Sequence, residues 1–415
     1  MADAPLSLLW LVDLEPSAGL QHGGALRWFN FSRELIKRGH DVCFSVNQEP
    51  LEGKGAKRAF LEQLRKEGRV SAYEETLYRF PRRLGKVAHL LAYPALTNRV
   101  LHSFQAGPTV AVQSALSQRK VDAVLISDRR MLFLAPWLRR RTPVLLDWGD
   151  SFTLYEWRQV VSCWRRRELG RLPHSFKRLG QAFLQERYYG RRADVNVLVS
   201  PVDLAVLNRV TGRPRVGRLL LNGAEVKTEP PRSRKVPGRL IFTGAMSFPP
   251  NFEAAIWFID HVLPLITSRR PGTRLVIAGR DPVSELIQRA GDQVTVTGQV
   301  PDIRQEIAAA SLYVAPLVSG GGFKNKVIEA LGSGTFVAGT SMAVEFLPAD
   351  IRKELLVGDT PAELADRVVS FLENPVAFED RLPSLHRMLA DQYTWERRTD
   401  ELVGMIRAAM SSRRR

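Results

Sequence analysis

Short runs that are apolar throughout recur along this chain, and they constrain its fold more than any other feature. Leu6–Val12, Val42–Val46, Val121–Ile126, Val144–Trp148, Val195–Val199 and Leu219–Leu221 are such runs in the first half. A strand with one wet face alternates polar and apolar residues; a run that does not alternate suits a parallel sheet covered on both faces by helices. Helical patterns lie between most of these runs. The first spans about Ala25 to Lys37 and is stopped by Gly39, a helix C-cap, so that it forms a βαβ unit with its flanking strands.

The pattern breaks at "NGAEVKTEPPRSRKVPGR", residues 222–239, where proline, glycine and mixed charge mark a linker. A second series follows. "RLIFTGAM", "RLVIAG", "VTVTG", "LYVAPL" and "TFVAGT" are strands, and Phe252, Ala255, Ile256, Ile259, Leu263 and Ile266 trace one helix face. Further helices are expected near Val283–Ala290, in "DIRQEIAAA", and over Ala362–Leu372 and Trp395–Met410. At 415 residues the chain exceeds one ordinary core. The expected organisation is an N-terminal Rossmann-like domain over 1–222, a linker over 223–238, a C-terminal Rossmann-like domain over 239–395, and a helix over 396–410 in position to cross back. The fold class is α/β, with two doubly wound domains facing a central cleft. Ligands of such sheets collect beyond the carboxyl ends of the strands.

Apolar content of 45% and charged content of 25% are those of a water-soluble globular protein. The charge is strongly basic, 60 Lys and Arg against 43 Asp and Glu, for a net +17. That excess favours an anionic partner: a phosphorylated substrate, an acidic membrane surface or nucleic acid. Two cysteines, Cys43 and Cys163, make neither a disulfide framework nor a metal-ligand spacing, which fits a reducing cytoplasm. The opening "MADAPLSLLWLVDLEP" lacks a basic n-region, and its apolar run is too short for a signal peptide or a membrane span.

The stretch "SGGGFKNKVIEALGSG", residues 319–334, concentrates three glycines, two lysines and a glutamate where a strand gives way to a helix. Backbone N–H groups at a helix start are unpaired, and the helix dipole favours an anion there. Lys326 and Glu329, three apart, share a helix face. In this order the glycines and Lys326 are suited to a diphosphate, and Glu329 to a ribose diol. A surface Lys–Glu pair is the competing explanation, but a helix start needs only one cap residue, and three glycines exceed that need.

The segment "GGGFKNKVIEALGSGTFVAGT" resembles the donor-binding segment of GT-B-fold glycosyltransferases, specifically retaining enzymes of glycosyltransferase family 4. "LIFTGAMSFPPNFEAAIWFIDHVLP", "LVIAG", "VTVTGQVPDI" and "LYVAPL" are similar to its accompanying pieces, in the same order. In the other half "GGALRWFNFSRELIKRGHDV" is similar to the family's first loop and helix, and "LLNGAEV" to its interdomain motif. The resemblance covers nearly the whole chain and is strongest over residues 240–340. The nearest look-alikes are bacterial enzymes that build exopolysaccharide or related envelope glycans.

The resemblance implies a GT-B architecture and transfer of a sugar, with retention and without a metal, from a nucleotide-diphosphate sugar to a hydroxyl of a glycan or lipid-linked acceptor. That sugar nucleotide is a co-substrate, and no cofactor is expected. Donor-binding residues carried over are Gly23, Gly24, Gly244, Gly320, Gly321, Gly322, Phe323, Lys324, Asn325, Lys326 and Glu329, with Lys326 also stabilising the leaving diphosphate. The chain departs from the family at three places. Gly321 occupies the position of the first of two glutamates, no basic residue follows Gly244, and the cleft strand "VLLDWGDSF" has no histidine. Asp147 and Asp150 are the polar groups offered there to orient an acceptor or stabilise charge on the donor ring. The competing explanation for Asp150 is a helix N-cap or turn residue, and for Asp147 a turn contact. Asp13-Leu14-Glu15 looks like a carboxylate metal motif, but no second cluster supports it, and no metal is assigned.

Two segments mix Arg and Lys with aromatic residues: "LYRFPRRLGKVAHLLAYP" and "EWRQVVSCWRRRELGRLPHSFKRLGQAFLQERYYGRR". Helices of that composition lie on anionic leaflets, although arginines snorkelling over a domain surface look alike in sequence. No nucleic-acid module accompanies them. The expected location is the cytoplasm, peripheral on the inner face of the cell membrane. Two alternatives share the fold: a GT-B scaffold that has lost turnover and binds a glycan or membrane partner, and a nucleotide-sugar epimerase.

Overall fold

The computed structural model of the chain describes residues 4–12, 23–48, 54–77, 107–165, 167–213, 216–224 and 234–413. They form two compact units, one of residues Met1–Gly223 with Trp395–Arg415 and one of Ala224–Thr394.

The first unit holds a seven-stranded sheet: β1 (Ser7–Val12), β2 (Asp41–Gln48), β3 (Ala72–Leu77), β4 (Ala123–Ile126), β5 (Val144–Gly149), β6 (Val195–Leu198) and β7 (Gly217–Leu219). Their order is β3-β2-β1-β4-β5-β6-β7, and each neighbouring pair is parallel. The wholly apolar runs have the two-sided burial they require. In β1, Leu8, Trp10 and Val12 pack into one core cluster while Leu9 and Leu11 pack into the other. Successive side chains of a strand leave on opposite faces, so both sides of this sheet are core. Cys43 is buried in β2.

The helix Trp395–Arg413 belongs to this unit. The Trp395 ring meets Phe31 edge-on at 5.2 Å, and Trp395, Leu402, Val403 and Ile406 join the same cluster as Trp10 and Phe44. Arg407 donates to the carbonyl of Ala4, and Arg413 pairs with Asp194.

The second unit holds six strands: β8 (Val236–Thr243), β9 (Arg274–Ala278), β10 (Val294–Gly298), β11 (Ala310–Ala315), β12 (Phe336–Gly339) and β13 (Leu356–Val357). Their order is β10-β9-β8-β11-β12-β13, again parallel throughout. The helix expected from Phe252 to Ile266 is made of Pro249–Trp257, a π-turn over Phe258–Val262, and Leu263–Thr267. Its buried face joins Ala254, Phe258 and Val262 to the expected Ala255, Leu263 and Ile266, with Phe252, Ile256 and Ile259 half-buried. Pro264 has no N–H to donate, and a wider turn just before it relieves the ladder.

In both units the chain order reverses beside the first strand, between β1 and β4 and between β8 and β11. The loops leaving those strands diverge, and that divergence opens the crevice at which such sheets take ligands. Among the described residues no helix is long and apolar enough to cross a membrane.

Candidate functional site

At the switch point of the second unit the β8 and β11 ends carry the segments that the sequence singles out. β8 ends at Thr243 and passes into Gly244; β11 ends at Ala315 and leads through Ser319–Lys324 into the helix Asn325–Gly332. Gly320 and Gly322 have φ of 96° and 72°, a left-handed backbone that an L side chain resists. The glycines are therefore needed for the path of the loop as well as for any anion. Lys324 turns back on this loop, its ammonium donating to the carbonyls of Gly321 and, at 2.9 Å, Gly322. Phe323 packs its ring on Phe346 and Tyr393, at 4.4 and 6.1 Å between centroids. Both side chains hold the loop to its own domain. The N-cap position, Lys324, makes no side-chain cap, and Asn325 opens the helix.

Lys326 lies one residue further and points back across the switch point. Its Nζ donates to Asn251 Oδ1 at 2.5 Å and stands 4.7 Å from the centre of the Phe242 ring. Asn251 Nδ2 in turn donates to the Ala245 carbonyl at 2.9 Å, so the amide is oriented with its oxygen toward the lysine. Gly244 makes room for this: a Cβ there would fall 2.6 Å from Asn251 Nδ2 and 3.1 Å from Lys326 Nζ. Gly279, at the end of β9, is required in the same way, since a Cβ would lie 1.8 Å from the Gly244 carbonyl oxygen.

The electrostatics follow from this packing. Burial, helped by the nearby Lys324 charge, pulls the Lys326 ammonium down to about 7, against an opposing pull from Glu329. A solvated lysine titrates near 10.4. Burial likewise raises Glu329, while Arg304, whose Nε is 3.8 Å away, lowers it. Among the described residues Lys326 has no carboxylate within ion-pair distance. An anion arriving here would restore its full charge without displacing an acidic partner.

At the first unit's switch point the helix Gly23–Lys37 starts at Gly23 and Gly24 and sends Arg27 inward. Its Nε donates to both oxygens of Asp147 at 3.1 Å, and its Nη1 donates to the Leu220 carbonyl at 3.1 Å and Asn222 Oδ1 at 2.7 Å. Ser127 Oγ also donates to Asp147 Oδ2 at 3.2 Å and accepts from Trp10 Nε1 at 2.8 Å. The sequence offers Asp147 to a substrate or to a turn contact. In the structure it is a buried tie among β1, β5, the first helix and the end of the sheet, because Arg27 Nε bonds both oxygens and Ser127 one of them. Asp150 is half-buried in the turn after Gly149, whose φ is 66°. It is Ser151 that caps the next helix, its Oγ accepting from Leu154 N at 3.2 Å.

The second unit thus brings together Gly244, Gly320–Gly322, Lys324 and Lys326, and sets Glu329 one helical turn beyond. The first unit separately gathers Gly23, Gly24 and Asp147. Asp13-Leu14-Glu15 and residues 78–94 of the first basic segment lie outside the described residues, as do residues 225–233 of the linker.

Asn251 and Arg304 escape sequence reasoning. Asn251 sits in "AMSFPPN", where the missing basic residue draws attention, and the polar signal available there is an asparagine on an otherwise apolar helix start. Ser319 is tied similarly: its Oγ donates to Glu253 Oε2 at 2.7 Å.

A family model described as Glycosyl transferases group 1 matches residues 237–374, a span from β8 through the glycine loop, Lys326 and Glu329. Over 146 residues the chain is 23% identical to an uncharacterised 44.6 kDa protein in the cps region of Klebsiella pneumoniae; the match takes in 32% of this chain and 37% of the relative's length. Anabaena HepE in complex with UDP is similar in structure, with a TM-score of 0.64 and 14% identity, over 97% of this chain and 100% of that one. A sucrose-phosphate synthase from Thermosynechococcus elongatus has a TM-score of 0.68 and 16% identity, over 98% of this chain and 100% of that one. At such identities likeness establishes fold. The chain has the two-domain α/β fold of GT-B glycosyltransferases, and its residues 237–374 carry the pattern of a group 1 glycosyltransferase domain.

Proposed function

We propose that the protein transfers a sugar from a nucleotide-diphosphate sugar to a hydroxyl of a glycan or lipid-linked acceptor, with retention and without a metal, in bacterial envelope polysaccharide synthesis. The observation that carries this reading is the Lys326 ammonium, half-buried at a sheet switch point, pulled to about 7 and held by an amide rather than a carboxylate. Such a group lacks an anion. A diphosphate supplies one, and in a low-dielectric site its stabilisation counts most as the sugar departs and negative charge grows on the leaving oxygen. The donor class is also supported by Anabaena HepE, which shares the fold and is in complex with UDP-glucose in another structure.

In this reading the C1–O bond to the diphosphate breaks while the acceptor oxygen bonds to C1 on the same face. The leaving phosphate oxygen takes the acceptor's proton. Lys326, the loop amides of Gly320–Gly322 and the start of the helix Asn325–Gly332 hold the diphosphate, and Glu329 accepts from the ribose diol. With Gly321 in place of a glutamate, backbone amides take over contacts to the donor sugar.

A scaffold that binds a nucleotide sugar without turnover is the second reading, favoured by the Arg27–Asp147 tie, which removes one polar group from chemistry. The test is a panel of nucleotide sugars, beginning with UDP-glucose, read by nucleoside diphosphate release with and without glycan acceptors. Release that requires an acceptor supports transfer. Donor binding, seen as thermal stabilisation, without release under any acceptor favours the scaffold. No stabilisation by any nucleotide sugar would sink both.

A further inference from the structure

The helices Phe152–Arg165 and Leu172–Gly190 of the first unit pack side by side and leave an apolar surface uncovered. Among the described residues five of the ten exposed large apolar side chains fall in this stretch, including both exposed tryptophans. Trp157 is 52% exposed, Trp164 71% and Phe176 54%. Their spacing is that of helix faces. Trp157 and Trp164 are seven apart on the first helix, and Phe176, Leu179, Gly180 and Phe183 follow i, i+3, i+4, i+7 on the second. Trp157, Phe176, Leu179, Gly180 and Phe183 line a groove of about 480 Å³ together with Leu154. Single exposed apolar residues are ordinary, whereas a contiguous patch with a groove marks a contact surface.

The charge around the patch chooses the partner. Residues 152–190 contain eight Lys or Arg and three Glu. Glu186 is fully buried, taking hydrogen bonds from Ser151 Oγ and Thr153 N. Glu156 is buried too and is bonded by Arg178 at 2.9 and 2.6 Å. The third, Glu168, is half-buried and paired with Arg171 at 3.0 Å, so the outward excess beside the aromatic rings is positive, with Arg167 and Lys177 exposed. A second copy of the same surface would oppose arginine to arginine, so self-pairing is disfavoured. An anionic bilayer matches both features: phosphates for the basic side chains and acyl chains for the rings.

We infer that the helix pair Phe152–Gly190 docks on an anionic phospholipid bilayer, with Trp157, Trp164 and Phe176 entering the headgroup–acyl boundary. This does not depend on the sugar-transfer reading. The experiment is co-sedimentation of the full chain with vesicles of pure phosphatidylcholine or of phosphatidylcholine and phosphatidylglycerol in equal parts. Expected is strong partition to the anionic vesicles only, weakened by salt. Two variants probe the surface: the triple Trp157→Ser, Trp164→Ser, Phe176→Ser, and Gly180→Glu. At Gly180 a Cβ meets nothing within 4 Å, so the carboxylate enters the groove without displacing a neighbour. Each variant should lose about tenfold or more of the partition while keeping its circular dichroism and its cooperative thermal unfolding. Three results would overturn the inference: no binding by the wild type, equal binding by wild type and Gly180→Glu, or a wild-type dimer in light scattering that Gly180→Glu breaks apart.

Discussion

The two units present the same architectural position, the point where strand order reverses, in opposite electrostatic states. In the first, Arg27 and Asp147 pair with one another, Ser127 and Asn222 add further bonds, and Arg27 Nη2 stands 3.1 Å from Asp147 Oδ1 without a hydrogen bond of its own. In the second, Lys326 meets an amide and an aromatic ring and loses much of its affinity for a proton. A paired buried charge is finished business for the fold, and removing one partner leaves the other stranded. An unpaired one costs stability until a ligand arrives. A shared topology sets the same place in both units, and the partner of one cation distinguishes a brace from a charge left open to a ligand.

The largest effect is expected where pairing is complete. Asp147→Ala should destabilise the first unit by about 3–5 kcal/mol, because it strands the Arg27 guanidinium in the interior. Chemical denaturation checks this, and adding Arg27→Met should recover part of the loss. If Asp147 serves only as a tie, its donor affinity, measured by calorimetry in the folded fraction, stays at the wild-type value. Next is Lys326→Met, which should weaken UDP-glucose binding about a hundredfold, the size of a lost charge-assisted bond of nearly 3 kcal/mol.

The pH profile sharpens the contrast. Donor binding favours protonated Lys326 and raises its pKa above the free value of about 7. Affinity for an intact nucleotide sugar should therefore be flat below pH 7 and fall above it, by up to about tenfold per pH unit. Lys326→Arg, always charged, should flatten that fall; an unchanged slope would place the titration elsewhere. The smallest effect concerns stability without ligand. The folded pKa of Lys326 lies below its unfolded value, so between the two the unfolded chain holds the extra proton and stability rises with pH. Lys326→Met should remove that slope and stabilise the empty protein near neutral pH by about 1 kcal/mol, a melting shift of about 2–4 °C.

Much of the scaffold is legible in the sequence because central parallel strands are apolar on both faces: β1, β4, β5, β11 and β12 announce themselves. The strands that escape are edges. β3, "AYEETL", carries two glutamates, and β13 is only Leu356–Val357. An edge strand lacks the second neighbour that makes a run apolar, and polar side chains there discourage wrong pairing. The site was half legible for a related reason. Gly320–Gly322, Lys326 and Glu329 lie in one local segment, where spacing carries information. Asn251, Gly279 and Arg27 act across the fold on residues up to 195 positions away, and one sequence offers no ruler for that. The Arg27 partner of Asp147 is invisible in the sequence because it lies 120 positions away.

The return of the helix Trp395–Arg413 to the first unit has a consequence for biosynthesis. A ribosome finishes residues 224–394 before it adds Trp395, Leu402 and Ile406, which close the hydrophobic core around Trp10 and Phe44. The later-encoded lobe can mature first, while the earlier one must wait until this helix has been made, reversing the usual amino-to-carboxyl sequence of domain maturation.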